Sequence, residues 1–239
     1  MSENLKDLKH LAIIMDGNRR WAKNKGLSVK KGHKAGADTL SNTIDWCIDF
    51  GIKYLTVYAF STENWKRDPA EINDIMSLLR EYLSSKESDF NKKGVKIKAI
   101  GIEQNVDKDI IEKIKKIEEN TKDNDILQVN IAFNYGGRTE ILDVVKAISR
   151  QVQSGNLKID DIDEKIFKEN LYYKDIPDPD LVIRTGGEIR ISNFLLWEIA
   201  YSEFYFTDVF WPDFSKELLS DIINNFKKRE RRYGGTIKK

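Results

Sequence analysis

Apolar residues fall along this chain in two rhythms. Short apolar runs occur at 11–15, 54–60, 95–100, 127–133, 181–184 and 204–206, several of them apolar on both faces. Runs that are apolar on both faces predict strands buried in a parallel sheet. Longer stretches with a helical period lie between them. In 34–50, Ala37, Leu40, Ile44, Cys47 and Ile48 share one face. In 69–90, Ile72, Ile75, Met76, Leu79 and Leu83 do the same, and Pro69 suits a first turn. The stretch 107–120 carries Ile110, Ile111, Ile114 and Ile117, and 139–152 and 216–231 follow the same logic. Strands alternating with helices predict an α/β fold with a central, mostly parallel sheet of about six strands flanked by helices. No internal repeat and no linker rich in Pro, Gly or Ser divides the 239 residues, so one domain over 1–239 is the simplest organisation.

Composition narrows the function classes. Hydrophobic residues make up 40% of the chain, enough for a substantial core, which excludes a disordered protein. Forty basic residues against 39 acidic ones leave a net charge of +1, so nothing in the overall charge points to nucleic acid. An anion site must therefore be a local cluster. The one cysteine, Cys47, excludes an internal disulfide, fits a reducing compartment and sits on an apolar helix face as a core residue. No apolar run approaches the length of a membrane span, and residues 1–10 are too polar for a secretory leader. The expected location is the cytoplasm.

The polar residues gather where strands end. The first strand runs into Asp16-Gly17-Asn18-Arg19-Arg20 and the second into Ser61-Thr62-Glu63-Asn64-Trp65. The fourth runs into Asn134-Tyr135-Gly136-Gly137-Arg138 and the fifth into Thr185-Gly186-Gly187-Glu188. The carboxyl ends of parallel strands share one edge of a sheet, and ligands bind there. Arg19, Arg20, Arg67, Arg138, Arg184 and Arg190 could reach that edge, with His33 near the start of a helix. Guanidinium groups read phosphate with paired donors. Gly17, Gly136, Gly137, Gly186 and Gly187 would let backbone amides approach an anion. Asp16 is an acid among cations, and one or two carboxylates completed by substrate phosphates is the usual way to hold Mg²⁺. These residues predict a diphosphate or nucleotide site with a metal. The G-x-x-x-x-G-K-[ST] and G-x-G-x-x-G fingerprints are absent, as is a His/Cys cluster with zinc spacing. The acidic run 160–164 reads as a solvated loop that starts a helix.

The motifs resemble those of one family. Met15-Asp16-Gly17-Asn18-Arg19-Arg20-Trp21-Ala22, followed by Gly32-His33-Lys34-Ala35-Gly36, is similar to the signature of the cis-prenyltransferases. Tyr58-Ala59-Phe60-Ser61-Thr62-Glu63-Asn64-Trp65-Lys66-Arg67 resembles their second motif and Asn134-Tyr135-Gly136-Gly137-Arg138 a third. Residues 184–194, with Trp197 and Glu203, resemble the late motifs. The resemblance runs in order from about residue 9 to 235 and is nearest to the bacterial enzymes that make undecaprenyl diphosphate.

The resemblance implies Mg²⁺-dependent elongation of an allylic diphosphate, farnesyl diphosphate, by isopentenyl diphosphate, with new cis double bonds. The product would be undecaprenyl diphosphate, precursor of the lipid carrier for cell-wall synthesis, or a shorter polyprenyl diphosphate. Asp16 is then the catalytic aspartate and a Mg²⁺ ligand, with Glu203 as a second ligand across a homodimer interface. Asn64 is the other catalytic residue, and because an amide is a poor base its role is orientation. Gly17, Asn18, Arg19, Arg20, Trp21 and His33 would bind the allylic diphosphate. Ser61, Thr62, Glu63, Trp65 and Arg67 would also bind substrate, and Trp65 and Arg67 belong to a loop expected to close over it. Arg184, Arg190, Ile191 and Ser192 match the isopentenyl diphosphate site. Trp21 and Trp197 also suit packing. The family's apolar product tunnel would run between the helices of 34–50 and 69–90 and a floor of Leu127, Val129 and Ile131, with Leu127 at its closed end. Segments 204–214 and 227–232 are candidate dimer contacts. A lipid product implies transient contact with the inner face of the membrane. Two positions depart from the pattern. Val29 stands where many members carry Arg, with Lys30 and Lys31 beside it, and Arg19 replaces a common Gly.

Overall fold

The computed structural model describes residues 8–229. Its strands are β1 (His10–Ile14), β2 (Tyr54–Ser61), β3 (Val95–Ile100), β4 (Leu127–Tyr135), β5 (Leu181–Arg184) and β6 (Glu203–Phe206). They form one sheet in the order β3-β4-β2-β1-β5-β6, and every pairing is parallel. Among the described residues there are seven α-helices, the first six between strands and the last after β6: α1 (Asn18–Asn24), α2 (Val29–Asp49), α3 (Pro69–Lys93), α4 (Lys108–Asn120), α5 (Gly137–Gln153), α6 (Glu164–Glu169) and α7 (Lys216–Lys228).

Both faces of the central strands are covered, so β1 and β5 are buried at every position, while the edge strands β3 and β6 are only partly buried. Leu11, Ile13, Leu55, Val57, Val129 and Ile131 pack on one side with Ile44 of α2, Leu83 of α3, Ile117 of α4 and Phe226 of α7. Ala12, Ile14, Ala132, Tyr135 and Val182 pack on the other with Phe194, Leu195 and Ile199. Fully burying one such Leu or Ile contributes roughly 1.5–3 kcal/mol. Cys47 is buried in the first layer, as its helical face predicts. Trp197 stacks on Phe167 at 3.9 Å between ring centroids, a packing role.

The elements differ from the sequence-based expectation mainly at their ends. Helix α2 begins at Val29 rather than residue 34, because the Ser28 hydroxyl caps it by accepting from the Lys31 amide at 3.4 Å. His33 therefore lies inside the helix, as its fifth residue and still near its start. Strand β4 runs on to Tyr135, and β6 begins at Glu203. Helix α7 ends at Lys228, and the expected extension to residue 231 runs outside the described residues. The acidic run 160–164 is a 3-10 turn followed by the α6 cap, where Asp163 accepts from the Ile166 amide at 2.8 Å. No described helix is long and apolar enough to cross a membrane.

Candidate functional site

Strand order reverses direction around β1, which pairs with β2 on one side and β5 on the other. That reversal opens a crevice at the carboxyl ends of the strands. A cavity of about 760 Å³ lies there, walled by the residues that follow β1, the end of β2 and the end of β5.

The turn after β1 is held by its backbone. The Asp16 carbonyl accepts from the Thr185 hydroxyl at 2.7 Å and from the Trp211 amide at 3.0 Å. Gly17 adopts φ 114°, and a Cβ there would stand 2.7 Å from the Phe210 ring, so only glycine fits. Gly17 opens α1, whose first amides have no intrahelical carbonyl to reach.

Asp16 centres one cluster of cations. Arg184 Nη2 donates to Asp16 Oδ2 at 2.9 Å, and Arg20 Nη2 lies 3.1 Å from Oδ1. The Arg184 side chain is only 5% exposed, and its Nη1 donates to the Ser192 hydroxyl at 2.7 Å and to the Arg190 carbonyl. Its Nε is buried without a partner among the described residues, as is Asn18 Oδ1, which lies against Gly36. Buried polar atoms without partners are costly and point to a missing ligand. Glu188 reaches back to both Arg20 and Arg190.

Glu71 centres a second cluster. Its Oε2 lies 3.2 Å from Arg19 Nη1, and its Oε1 accepts from Arg67 Nη1 at 2.9 Å with His33 Nε2 3.3 Å away. Glu71 stands in the first turn of α3, which Asp68 caps by accepting from the Ala70 amide. Burial lowers the His33 pKa, and the hydrogen bond with Glu71 opposes that shift. Glu71 stands outside the sequence motifs. The available signal was its position four residues after Arg67 at a helix start.

Twelve of the expected site residues meet at this cavity: Asp16, Gly17, Asn18, Arg19, Arg20, His33, Ser61, Asn64, Arg67, Arg184, Arg190 and Ser192. Val29, at the departure from the family pattern, lines it as well. Asn64 Oδ1 accepts from the Ser61 amide at 3.1 Å, so that oxygen is already engaged.

The remaining expected residues lie elsewhere. Trp65 turns inward, donating to Asn134 Oδ1 at 2.7 Å and packing edge-on against Phe60. Trp21 donates to Asp213 at 2.7 Å. Glu63 accepts from Asn193 at 2.9 Å, Thr62 lies against Gly136, and Ile191 packs beside the second apolar layer. Arg138 heads α5 outside the cavity wall. The amides of Gly137, Gly186 and Gly187 bond to the carbonyls of Asn193, Val209 and Thr207, each at 2.8 Å, so they are not available to an anion. Glu203 opens β6 at the amino edge of the sheet, away from Asp16, and accepts from Arg229 at 2.9 Å. Within one chain it does not join Asp16. No group of three or more His, Cys, Asp or Glu side chains suited to a metal occurs among the described residues. Asp16 is the one carboxylate among the described residues that line the cavity, beside a place for phosphate, which fits Mg²⁺ held by one carboxylate and substrate oxygens.

The polar cavity continues into an apolar groove of about 110 Å³ between α2 and α3. Ala37, Leu40, Leu79, Ile131 and Phe133 line it, and Met15, Asn18, His33, Ala59 and Ile75 belong to both spaces. Leu127 is fully buried at the far end of β4.

Known proteins share this architecture. A family model described as "Putative undecaprenyl diphosphate synthase" matches residues 14–234. An isoprenyl transferase of Fusobacterium nucleatum is 49% identical over 95% of this chain and 96% of its own. A tritrans,polycis-undecaprenyl-diphosphate synthase (geranylgeranyl-diphosphate specific) of Pyrococcus abyssi is 47% identical over 95% of this chain and 86% of its own. The solved structure of lavandulyl diphosphate synthase from Lavandula x intermedia, in complex with dimethylallyl diphosphate, matches with a TM-score of 0.92 and 34% identity. That match covers 95% of this chain and 98% of the lavender one. With 221 consecutive residues inside the family model and this sheet carrying its motifs, the chain belongs to the undecaprenyl diphosphate synthase family of prenyltransferases.

Proposed function

We propose that this chain condenses isopentenyl diphosphate with an allylic diphosphate, farnesyl diphosphate, and repeats the step to give undecaprenyl diphosphate. The observation that carries this reading is one cavity with two separate cation clusters, around Asp16 and around Glu71, opening into an apolar groove. Two diphosphates need two sets of donors side by side, and a growing hydrocarbon needs an apolar exit.

Arg19, Arg67, His33 and the α1 amides take the allylic diphosphate. Arg184, Arg190 and Ser192 take the isopentenyl diphosphate. The allylic carbon–oxygen bond breaks with its electron pair on the departing diphosphate, where the arginines stabilise the growing charge. The double bond of isopentenyl diphosphate then bonds to the allylic carbon, and the adjacent carbon gives up a proton, for which the departed diphosphate is the available base. Asn64, with its oxygen held by Ser61, orients substrate and accepts no proton. Asp16 with substrate phosphate oxygens would hold Mg²⁺, which supplies further charge neutralisation at the leaving group. Glu203 would add to that site only from a second copy in a homodimer. The sheet edge at β6 and segment 204–214 are the proposed contact, while residues 230–232 of the proposed tail contact lie outside the described residues. The expected setting is the cytoplasm, with transient membrane contact to release the lipid.

A shorter product is the second reading. A groove of about 110 Å³ is far smaller than an undecaprenyl chain, so α2 and α3 must part for the longer product. The test gives purified protein labelled isopentenyl diphosphate, Mg²⁺, detergent and either farnesyl or geranylgeranyl diphosphate. Undecaprenyl products from farnesyl diphosphate support the first reading. A discrete shorter product moves the function to another prenyl carrier, and no incorporation from either primer overturns both readings.

A further inference from the structure

The carboxylate of Glu71 has no role in the reaction outlined above, yet three of the groups assigned to diphosphate converge on it. They come from three separate elements: Arg19 from α1, His33 from α2 and Arg67 from the segment before α3. Glu71 is 8% exposed, and a carboxylate is buried so deeply only when it is paired. Its partners, in contrast, line the cavity, and the Arg19 side chain is 61% exposed. Glu71 thus holds them from behind while an anion can reach them from the front.

We propose that Glu71 stands in for a substrate anion, keeping Arg19, His33 and Arg67 assembled until a diphosphate takes them over. This rests on the diphosphate reading of the cavity. One carboxylate offers two oxygens and one charge, whereas a diphosphate offers more of both, so the diphosphate wins the arginines. The exchange frees the first turn of α3. Farther along, α3 is tied to the α4 region by Arg80 with Asp107 and Asp109, by Lys113 with Ser84 and by Asn120 with Glu87. Among the described residues, the start of α3 has polar ties through Glu71 and through Asp74 with Lys30 at 3.3 Å, besides its own Asp68 cap. Release of Glu71 therefore loosens the beginning of α3 and leaves its second half in place.

The test uses the full chain and inorganic pyrophosphate. Calorimetry should show Glu71→Gln binding pyrophosphate about tenfold more tightly than wild type, since one charge-assisted competitor is gone. Glu71→Asp, which keeps the charge, should stay near wild type. Equal or weaker binding by Glu71→Gln overturns the proposal and leaves the diphosphate reading standing. Hydrogen exchange on wild type needs no variant to fold. Amides of residues 69–75 should exchange faster with pyrophosphate bound, and unchanged or slower exchange there overturns the proposal. Failure of wild type to bind pyrophosphate, with or without Mg²⁺, removes the diphosphate reading and the proposal together.

Discussion

The Asp16 carboxylate and the Arg184 guanidinium meet at 2.9 Å although 168 residues separate them in the chain. They meet because β1 and β5 are neighbouring parallel strands with Ile14 and Arg184 in register. The pairing leaves Arg184 almost wholly buried, with Nη1 engaged by Ser192 and the Arg190 carbonyl while Nε has no partner among the described residues. An arginine held this way keeps its fork aimed at the cavity before any substrate arrives.

Asp16→Asn tests the carboxylate without opening a hole. The amide oxygen still accepts from Arg184, so the fold should persist. Turnover should fall by about a hundredfold or more, the scale for losing one electrostatic contact to the developing charge. Steady-state incorporation of isopentenyl diphosphate, beside a thermal melt, measures both. Near-normal turnover would remove Asp16 from the metal site.

Trp65→Phe separates packing from chemistry. The variant keeps the ring against Phe60 and loses the bond to Asn134 Oδ1. Urea unfolding should show a loss of about 1 kcal/mol, while substrate affinity changes little. A large rise in KM at unchanged stability would mean that Trp65 swings out to touch substrate.

Gly32→Ala should damage the site from below. A Cβ at Gly32 would stand 2.4 Å from the Asn18 carbonyl, in the turn that presents Arg19 and Arg20. Overpacking of this kind costs about 1–3 kcal/mol. The expected result is a lower melting temperature together with weaker pyrophosphate binding. Wild-type values for both would show that α1 can move aside freely.

Glu198 predicts an alkaline weakness. Burial pushes its carboxyl up to about 9, and the charge of neighbouring Glu140 adds to that. Burial raises Glu140 too, and its oxygens already accept from the Tyr135 hydroxyl and the Tyr172 amide. Neither Glu198 oxygen makes a well-formed hydrogen bond among the described residues, although the Glu140 carboxyl and Tyr173 lie beside it. The folded state thus binds a proton that the unfolded state releases near the ordinary carboxyl pKa. Stability is full below that value and falls as pH rises toward about 9. Glu198→Gln keeps the shape without the ionisation. It should flatten the pH dependence and raise stability at pH 8 by about 1–3 kcal/mol. Parallel melting curves for the two proteins between pH 5 and 9 would refute this.

Local patterns were enough for the elements and for the inventory of site chemistry. An apolar run or a helical stripe is encoded within a few residues, and covering both sheet faces preserves that pattern, so all six strands and the main helices were legible. The motif residues after β1, β2 and β5 were legible too, because strand ends in a parallel sheet must share an edge. What the tertiary structure alone decided is which charge meets which. Glu71 gathers Arg19, His33 and Arg67 only because α1, α2 and the start of α3 converge over the same end of the sheet. Trp65 turns inward only because Asn134, from another strand's end, waits there. The amides of Gly137, Gly186 and Gly187 are spent on carbonyls that a linear reading cannot place beside them. Glu203 falls at the opposite edge from Asp16 because β6 begins there. Spacing along the chain encodes a face or an end, but a bond between distant side chains depends on strand order and register, which these short patterns do not contain.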